Sequence, residues 1–109
     1  MKDDTQPRIQ RRRDLANSLH IPAEMATRFT DGEMAALKII ADEHVRCGAC
    51  TLARDAIAAL SCTSRTVVKD AIRTAEAAGL LKREQMRGRG RRYTTITITS
   101  AEWLASLDQ

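Results

Sequence analysis

Aromatic residues and long apolar runs are scarce in this chain of 109 residues. Phe29, Tyr93 and Trp103 are its only members of the Phe, Tyr and Trp types, so it lacks the clustered aromatic side chains that stack on RNA bases. No apolar run approaches the roughly 18 residues of a membrane-spanning helix. The basic N-terminus lacks the apolar segment of a secretory signal. We expect neither a membrane contact nor secretion.

Patterns typical of catalysis are also absent. There is no nucleophile elbow and no glycine-rich phosphate loop in front of a helix. Asp42 and Glu43 are adjacent, so they point to different sides of one helix, and His20 and His44 suggest no catalytic triad. We expect no enzymatic activity and no cofactor.

The cysteines leave a metal site open as an alternative. Their number, three, is odd, which favours free thiols in a reducing cytoplasm. Cys47 and Cys50 have a spacing that suits zinc, with His44 and Cys62 as further ligands. A redox-sensing pair of thiols is another alternative. Free cysteines, either packed or exposed, are the favoured interpretation.

Positive charge is concentrated in two segments. The net charge of the chain is +4, but residues 1–13 alone carry +3 and residues 82–92 carry +5. Residues 14–64 carry −3. Charge that only provided solubility would be spread more evenly, so this clustering predicts a polyanionic partner.

Residues 53–99 contain the most informative pattern. Apolar residues at helical spacing predict helices, and the alternating, β-branched residues over 93–99 predict a strand. The predicted order is a helix over 53–60, a turn over 61–64, a helix over 65–78, a strand over 80–86, a loop over 87–92 and a strand over 93–99. Ser64 is the predicted N-cap of the second helix, and Gly79 ends it.

The remaining segments complete one domain over residues 14–109. Residues 1–13 are predicted to be a flexible basic arm, and residues 14–20 a short helix. Pro22 can open another short helix with Met25, Ala26 and Phe29 facing inward.

A longer helix is predicted from about residue 30 to 46. Thr30 and Glu33 match a capping box, and Gly48 ends the helix. A short strand over 49–52 can join the two later strands. The last helix covers 101–107, with Thr99 and Glu102 resembling a second capping box. The predicted inward side chains include Met34, Leu37, Ile40, Ala41, Val45, Ala56, Ile57, Leu60, Val68, Ala71, Ile72, Ala75 and Ala78. Trp103, Leu104 and Leu107 form an apolar stripe that is either buried or an interface.

The outward face of the helix over 65–78 is predicted to enter the major groove of duplex DNA, which is about 12 Å wide. Three sets of residues form the candidate interface. They are Ser64, Arg65, Thr66, Lys69 and Arg73 on the helix, Arg87, Arg89, Arg91 and Arg92 in the loop, and Arg11, Arg12 and Arg13 in the arm. Asp70 lies on the same helix face, where it either accepts a hydrogen bond from cytosine N4 or forms an ion pair with Lys69 or Arg73.

The segment LSCTSRTVVKDAIR from Leu60 to Arg73, followed by AGLL from Ala78 to Leu81, carries a family resemblance. It resembles the Ser-Arg-x-x-Val…Leu…Gly-Leu pattern of GntR-type recognition helices in the winged helix-turn-helix superfamily of bacterial DNA-binding regulators. The resemblance covers residues 30–99. It implies a mostly helical α+β fold with a two- or three-stranded antiparallel wing hairpin. Cys62 departs from the pattern, because such turns often carry glycine there.

These observations together predict a cytoplasmic, sequence-specific double-stranded DNA-binding regulator of transcription. We expect a homodimer, because one small module reads few base pairs. The candidate dimer surfaces are residues 14–29 and 101–109. The alternatives are a control protein for replication or transfer of a plasmid or mobile element, and a winged-helix module that binds proteins.

Overall fold

The computed structural model describes residues 6–19, 26–88 and 90–107. Within these ranges lie five complete helices and one antiparallel β-hairpin, so the predicted α+β class is confirmed. The helices are α1 Gln6–Ser18, α2 Asp31–Cys47, α3 Arg54–Ser61, α4 Arg65–Ala77 and α5 Ala101–Leu107, and the strands are β1 Leu81–Gly88 and β2 Arg91–Ile98. The hairpin lies between α4 and α5 in the chain. No helix in the described ranges has the length and apolar character needed to cross a membrane.

Helix α2 is at the centre of the fold. It packs against α1, α3, α4 and β2, and Leu37 and Ile40 on its inner face are fully buried. The opposing face of α4 contributes Val68 and Ile72, and α5 contributes Trp103, which is 0% exposed. Burial of such side chains is the main favourable term in folding. The core therefore holds α3 and α4 in a fixed position on α2.

The ends of α2 lie where the sequence predicts them. Thr30 accepts a hydrogen bond from the backbone N–H of Glu33, and the Glu33 carboxylate accepts one from the N–H of Thr30, which completes the capping box. Gly48 follows the helix with φ 84°. The prediction that Val45 faces inward is wrong: this side chain is 60% exposed, because the buried face of α2 ends at Ala41.

Three residues join α3 to α4. Cys62 ends α3 in the left-handed region with φ 59°. Ser64 caps α4 by accepting a hydrogen bond from the backbone N–H of Val67 at 3.2 Å, as predicted. Leu60 was expected in the core, but it is 43% exposed. The short α3 buries the side that carries Ile57 and Ala58, and Leu60 lies outside it.

The connection from α4 to β1 is a Schellman motif. The N–H of Gly79 donates to the carbonyl of Glu76, and the N–H of Leu80 donates to the carbonyl of Ala75. Gly79 has φ 78°, a conformation that disfavours residues with a Cβ atom. The predicted helix stop at Gly79 is confirmed.

The hairpin is longer, and its turn shorter, than the sequence predicts. Pairing runs from Leu81 opposite Ile98 to Gly88 opposite Arg91. The expected loop over 87–92 is therefore shorter, because residues 87, 88, 91 and 92 belong to the paired strands, and few residues are needed to close a hairpin. The predicted strand over 49–52 is reduced to one bridge between Cys50 and Ile96.

The N-terminal segment is a correction to the predicted arm over 1–13. Helix α1 begins at Gln6, although its exposed face is polar. Leu15, Ala16 and Leu19 pack on the core, and this packing stabilises a helix that composition alone does not favour. Residues 1–5 lie outside the described residues. So does Met25, whereas Phe29 is buried as predicted.

Helix α5 begins with a different cap from the predicted one. Ser100, rather than Thr99, accepts a hydrogen bond from the N–H of Trp103 at 3.3 Å. Thr99 instead donates its hydroxyl hydrogen to the carbonyl of Gly79 at 3.0 Å. Leu104 and Leu107 are partly buried against the core. The apolar stripe of α5 therefore mainly covers the core.

Candidate nucleic-acid interface

The outer face of α4 presents the predicted polar residues to solvent. The exposed residues are Ser64, Arg65, Thr66, Lys69, Asp70 and Arg73. The opposite face is buried against α2 and α3, as the spacing of apolar residues predicts. Among the described residues, no ion pair within 4 Å joins Asp70 to Lys69 or Arg73.

The hairpin brings two of the predicted arginines directly opposite each other. Arg87 on β1 pairs with Arg92 on β2, and both side chains are exposed. Like charges directly opposite on adjacent strands are destabilising, so this pair favours the binding of an anion. Arg91 lies opposite Gly88 in the backbone register, and Arg89 lies outside the described residues.

A groove of about 300 Å³ separates the hairpin from the start of α3 and from α4. Arg54 of α3, Arg65 of α4 and Arg83 and Arg92 of the hairpin all line it. Leu52, Ile57, Ile72 and Ile96 give it an apolar floor. The groove therefore places Arg65, at the start of α4, and Arg92, on the hairpin, on one side of the molecule. We refer to α4, this groove and the hairpin face that carries Arg83, Arg87 and Arg92 as the basic face.

One arginine of the groove has a structural partner. The Glu76 carboxylate accepts hydrogen bonds from three donors of Arg83: the backbone N–H at 3.2 Å, Nε at 3.3 Å and Nη2 at 2.9 Å. These hydrogen bonds, above all those from the side chain, lower the pKa of Glu76 and raise the pKa of Arg83. The contact fixes the base of the hairpin against α4.

Sequence reasoning missed Arg54, Asp55 and Arg83. Asp55 forms an ion pair with Arg65, with Oδ1 and Nε 2.8 Å apart. These residues start α3 or lie near the base of β1, and no local motif marks them. The only available signal was the arginine content of residues 82–92, because the groove forms only when the hairpin folds towards α3 and α4.

The three predicted arginines of α1 lie along a helix rather than a free arm. Arg11 donates through Nε to the carbonyl of Leu60 at the end of α3, at 3.2 Å. Arg12 lies near the turn between α3 and α4. Its Cδ atom, Thr63 and Val67 all lie next to the position that a side chain on Gly32 would occupy. Arg13 is exposed. Helix α1 thus approaches the turn that precedes α4, whereas the hairpin lies beside the start of α3.

The four residues considered for zinc have separate environments. Cys47 is exposed, Cys50 is buried and Cys62 is intermediate. His44 accepts a hydrogen bond from the N–H of Ile98 at its Nδ1, at 3.5 Å. Burial raises the pKa of the Cys50 thiol, so a thiolate is disfavoured there. Within the described residues, no three His, Cys, Asp or Glu side chains come together as a metal site requires.

The basic face is suited to an extended anion. Its guanidinium and ammonium groups can bind phosphates, and an arginine fork can bind guanine at O6 and N7. Neither a scan against models of known protein families nor a search of curated proteins found a match for this chain.

Proposed function

We propose that this protein is a winged helix-turn-helix regulator that binds double-stranded DNA. Helix α4 is the recognition helix, which enters the major groove, and the hairpin is the wing, which binds the adjacent backbone or minor groove. The protein acts by occupying a promoter in the bacterial cytoplasm and carries out no catalysis.

The observation that carries this proposal is the placement of cations from two distant segments on one side. Arg65 begins α4 and Arg92 belongs to β2, yet both line one groove. Lys69 and Arg73 continue along the exposed side of α4. Cations placed in this way can contact the phosphates that flank a major groove, and each such contact contributes to salt-dependent affinity.

Binding of duplex DNA to charge variants tests the proposal. Fluorescence anisotropy with a labelled duplex of about 30 base pairs should detect a complex at low salt, whose affinity falls as salt rises. Arg73→Ala and Arg92→Ala should each weaken binding and each reduce the log–log salt slope by about 0.9. Lys82→Ala is the matched control, because Lys82 is an exposed cation that pairs with Glu84 on the hairpin face opposite Arg87 and Arg92.

Two results would contradict the proposal. One is that the wild-type protein forms no complex with duplex at low salt. The other is that Arg73→Ala and Arg92→Ala weaken binding no more than Lys82→Ala does. In the second case any affinity comes from net charge and not from the basic face.

A control protein of plasmid or mobile-element replication or transfer would use the same contacts, so the duplexes selected by the protein would distinguish the two roles. A module that binds proteins has less support, because the stripe on which that alternative depends packs largely on the core: Trp103 is fully buried, and Leu104 and Leu107 are partly buried.

The proposal includes a homodimer. Both candidate dimer segments contribute to one groove of about 330 Å³, where Leu19 and Leu107 lie beside Val45. Lys38, Asp42 and Arg46 surround these apolar side chains, so the patch carries charges of both signs. A surface of this kind can pair with its own copy across a two-fold axis.

A further inference from the structure

One carboxylate lies within the otherwise cationic groove. Asp55 is in the first turn of α3 and Arg65 is the first residue of α4, and their Oδ1 and Nε atoms are 2.8 Å apart. Arg54, Arg83 and Arg92 line the same groove. A carboxylate in this position repels phosphate, so it opposes the binding of an anion, which the arginines of the groove favour.

Folding stability does not explain the pair. The side chains of Arg65 and Asp55 are 70% and 72% exposed, and exposed ion pairs contribute little to stability. Asp55 is favourably placed near the N-terminus of α3, but that role requires no contact with Arg65.

The pair restricts what Arg65 can bind. Because Asp55 occupies the Nε side of the guanidinium, the two Nη groups on the other side remain available as a planar fork. A fork of this geometry matches O6 and N7 of guanine. The carboxylate also offsets much of the charge through which Arg65 would attract a phosphate. Among the described residues, Lys69 and Arg73 form no ion pair with a carboxylate, so their charges remain free for the backbone.

We propose that Asp55 is a positioning residue that directs Arg65 to a guanine base and away from the DNA backbone. Asp55 lowers the affinity of the protein for DNA in general and raises its preference for one G·C pair. This inference rests on the proposed function and adds the residue that determines specificity at one position.

The experiment begins with the wild-type protein and a pool of duplexes with a randomised core of about 20 base pairs. The duplex recovered by selection, its single-base-pair variants and an unrelated duplex of equal length are then titrated with wild-type protein, Asp55→Asn and Arg65→Lys. Glu84→Gln is the matched control: Glu84 forms an exposed ion pair with Lys82 at 2.8 Å, on the hairpin face opposite Arg83 and Arg87, and the change is likewise from a carboxylate to an amide.

The wild-type protein should prefer guanine at one position by roughly 5- to 150-fold, the range of one arginine–guanine pair. Asp55→Asn should lose most of that preference, bind the unrelated duplex more tightly and steepen the salt slope by about 0.9. Arg65→Lys should lose the same preference, because an ammonium group has no fork. Glu84→Gln should keep the wild-type preference.

The inference is overturned if Asp55→Asn keeps the wild-type preference at every position. It is also overturned if Asp55→Asn weakens all duplexes equally, since that result indicates a structural role. If the wild-type protein binds no duplex, the proposed function itself fails and the inference fails with it. A wild-type complex with an unchanged Asp55→Asn profile refutes the inference alone.

Discussion

Single side chains fix the ends of the helices that carry the arginines. Thr30 and Ser64 accept hydrogen bonds from the first-turn N–H groups of α2 and α4, and Gly79 allows the chain to leave α4 in the left-handed region. A residue of the wrong type at a helix cap typically costs about 1 kcal/mol. The cap at Ser64 sets the start of α4 at Arg65, and the turn at Gly79 sets the point where the hairpin begins.

The contact between Glu76 and Arg83 gives a pH-dependent prediction. Arg83 lowers the pKa of Glu76 in the folded state, so the unfolded chain binds the proton more readily. The stabilisation is therefore present above the unfolded carboxyl pKa of about 4.3, and it is lost as the pH falls through the lowered folded value. Glu76→Gln should be less stable than the wild type at neutral pH by roughly 0.5–1 kcal/mol, since both side chains are partly exposed.

Urea unfolding of both proteins at neutral pH and at about pH 3 measures this difference, which should shrink in acid. Glu84→Gln is the control, because Glu84 pairs with Lys82 and both side chains are more than half exposed. A stability difference for Glu76→Gln that is equal at both pH values would show that the charge of Glu76 has no role.

At the scale of elements, the hairpin places two like charges opposite each other at the proposed anion site. Arg87 and Arg92 oppose each other without a compensating carboxylate in the cross-strand position. Their mutual repulsion is a cost in the free protein that a bound phosphate relieves. A substitution that removes this repulsion should therefore increase the stability of the free protein and decrease its affinity for DNA.

Arg87→Glu tests this expectation. An opposite-charge pair with Arg92 should stabilise the free hairpin by roughly 0.2–1 kcal/mol, whereas affinity for duplex DNA should fall. Thermal unfolding and anisotropy titration measure the two effects. Lys82→Glu changes the net charge equally, on the opposite face of the same strand, and should weaken DNA binding less. The interpretation of this pair is wrong if Arg87→Glu is less stable than the wild type or binds duplex as tightly.

At the scale of the whole molecule, the basic face and the proposed dimer surface are formed by different residues. Arg54, Arg65 and Arg92 line the first, whereas Val45 and Leu107 lie in the second. A dimer formed through the second would use none of the residues that line the groove of the first. Two modules together read more base pairs than one, which increases specificity.

Substitution of Val45 tests the dimer. Sedimentation equilibrium at about 10 µM protein without DNA should give the mass of a dimer, since a specific homodimer commonly has a dissociation constant below this range. Val45→Glu should give a monomer, because a carboxylate buried in an apolar interface is costly. Leu60→Glu is the control, as Leu60 is also an exposed apolar residue but lies on α3. A monomeric wild-type protein under these conditions would refute the dimer.

The sequence by itself determined the N-caps of α2 and α4, the buried face of α4 and the alternation of β2. These features depend on residues within a few positions of one another: Ser64 reaches the N–H of Val67, and Thr30 reaches that of Glu33. Local hydrogen bonds and side-chain periodicity are sufficient to specify them. The exposed positions of Lys69 and Arg73 follow from the same periodicity.

Only the tertiary structure decided the rest. Helix α1 exists where an arm was predicted because its apolar side packs on the core and Arg11 reaches Leu60, which is 49 residues away in the chain. Likewise, Asp55 meets Arg65 only because α3 and α4 pack against each other, and Arg92 lines the same groove only because the hairpin lies beside them. Contacts between distant segments leave no periodic pattern in the chain, so the groove and its carboxylate could not be derived before the helices and strands were packed together.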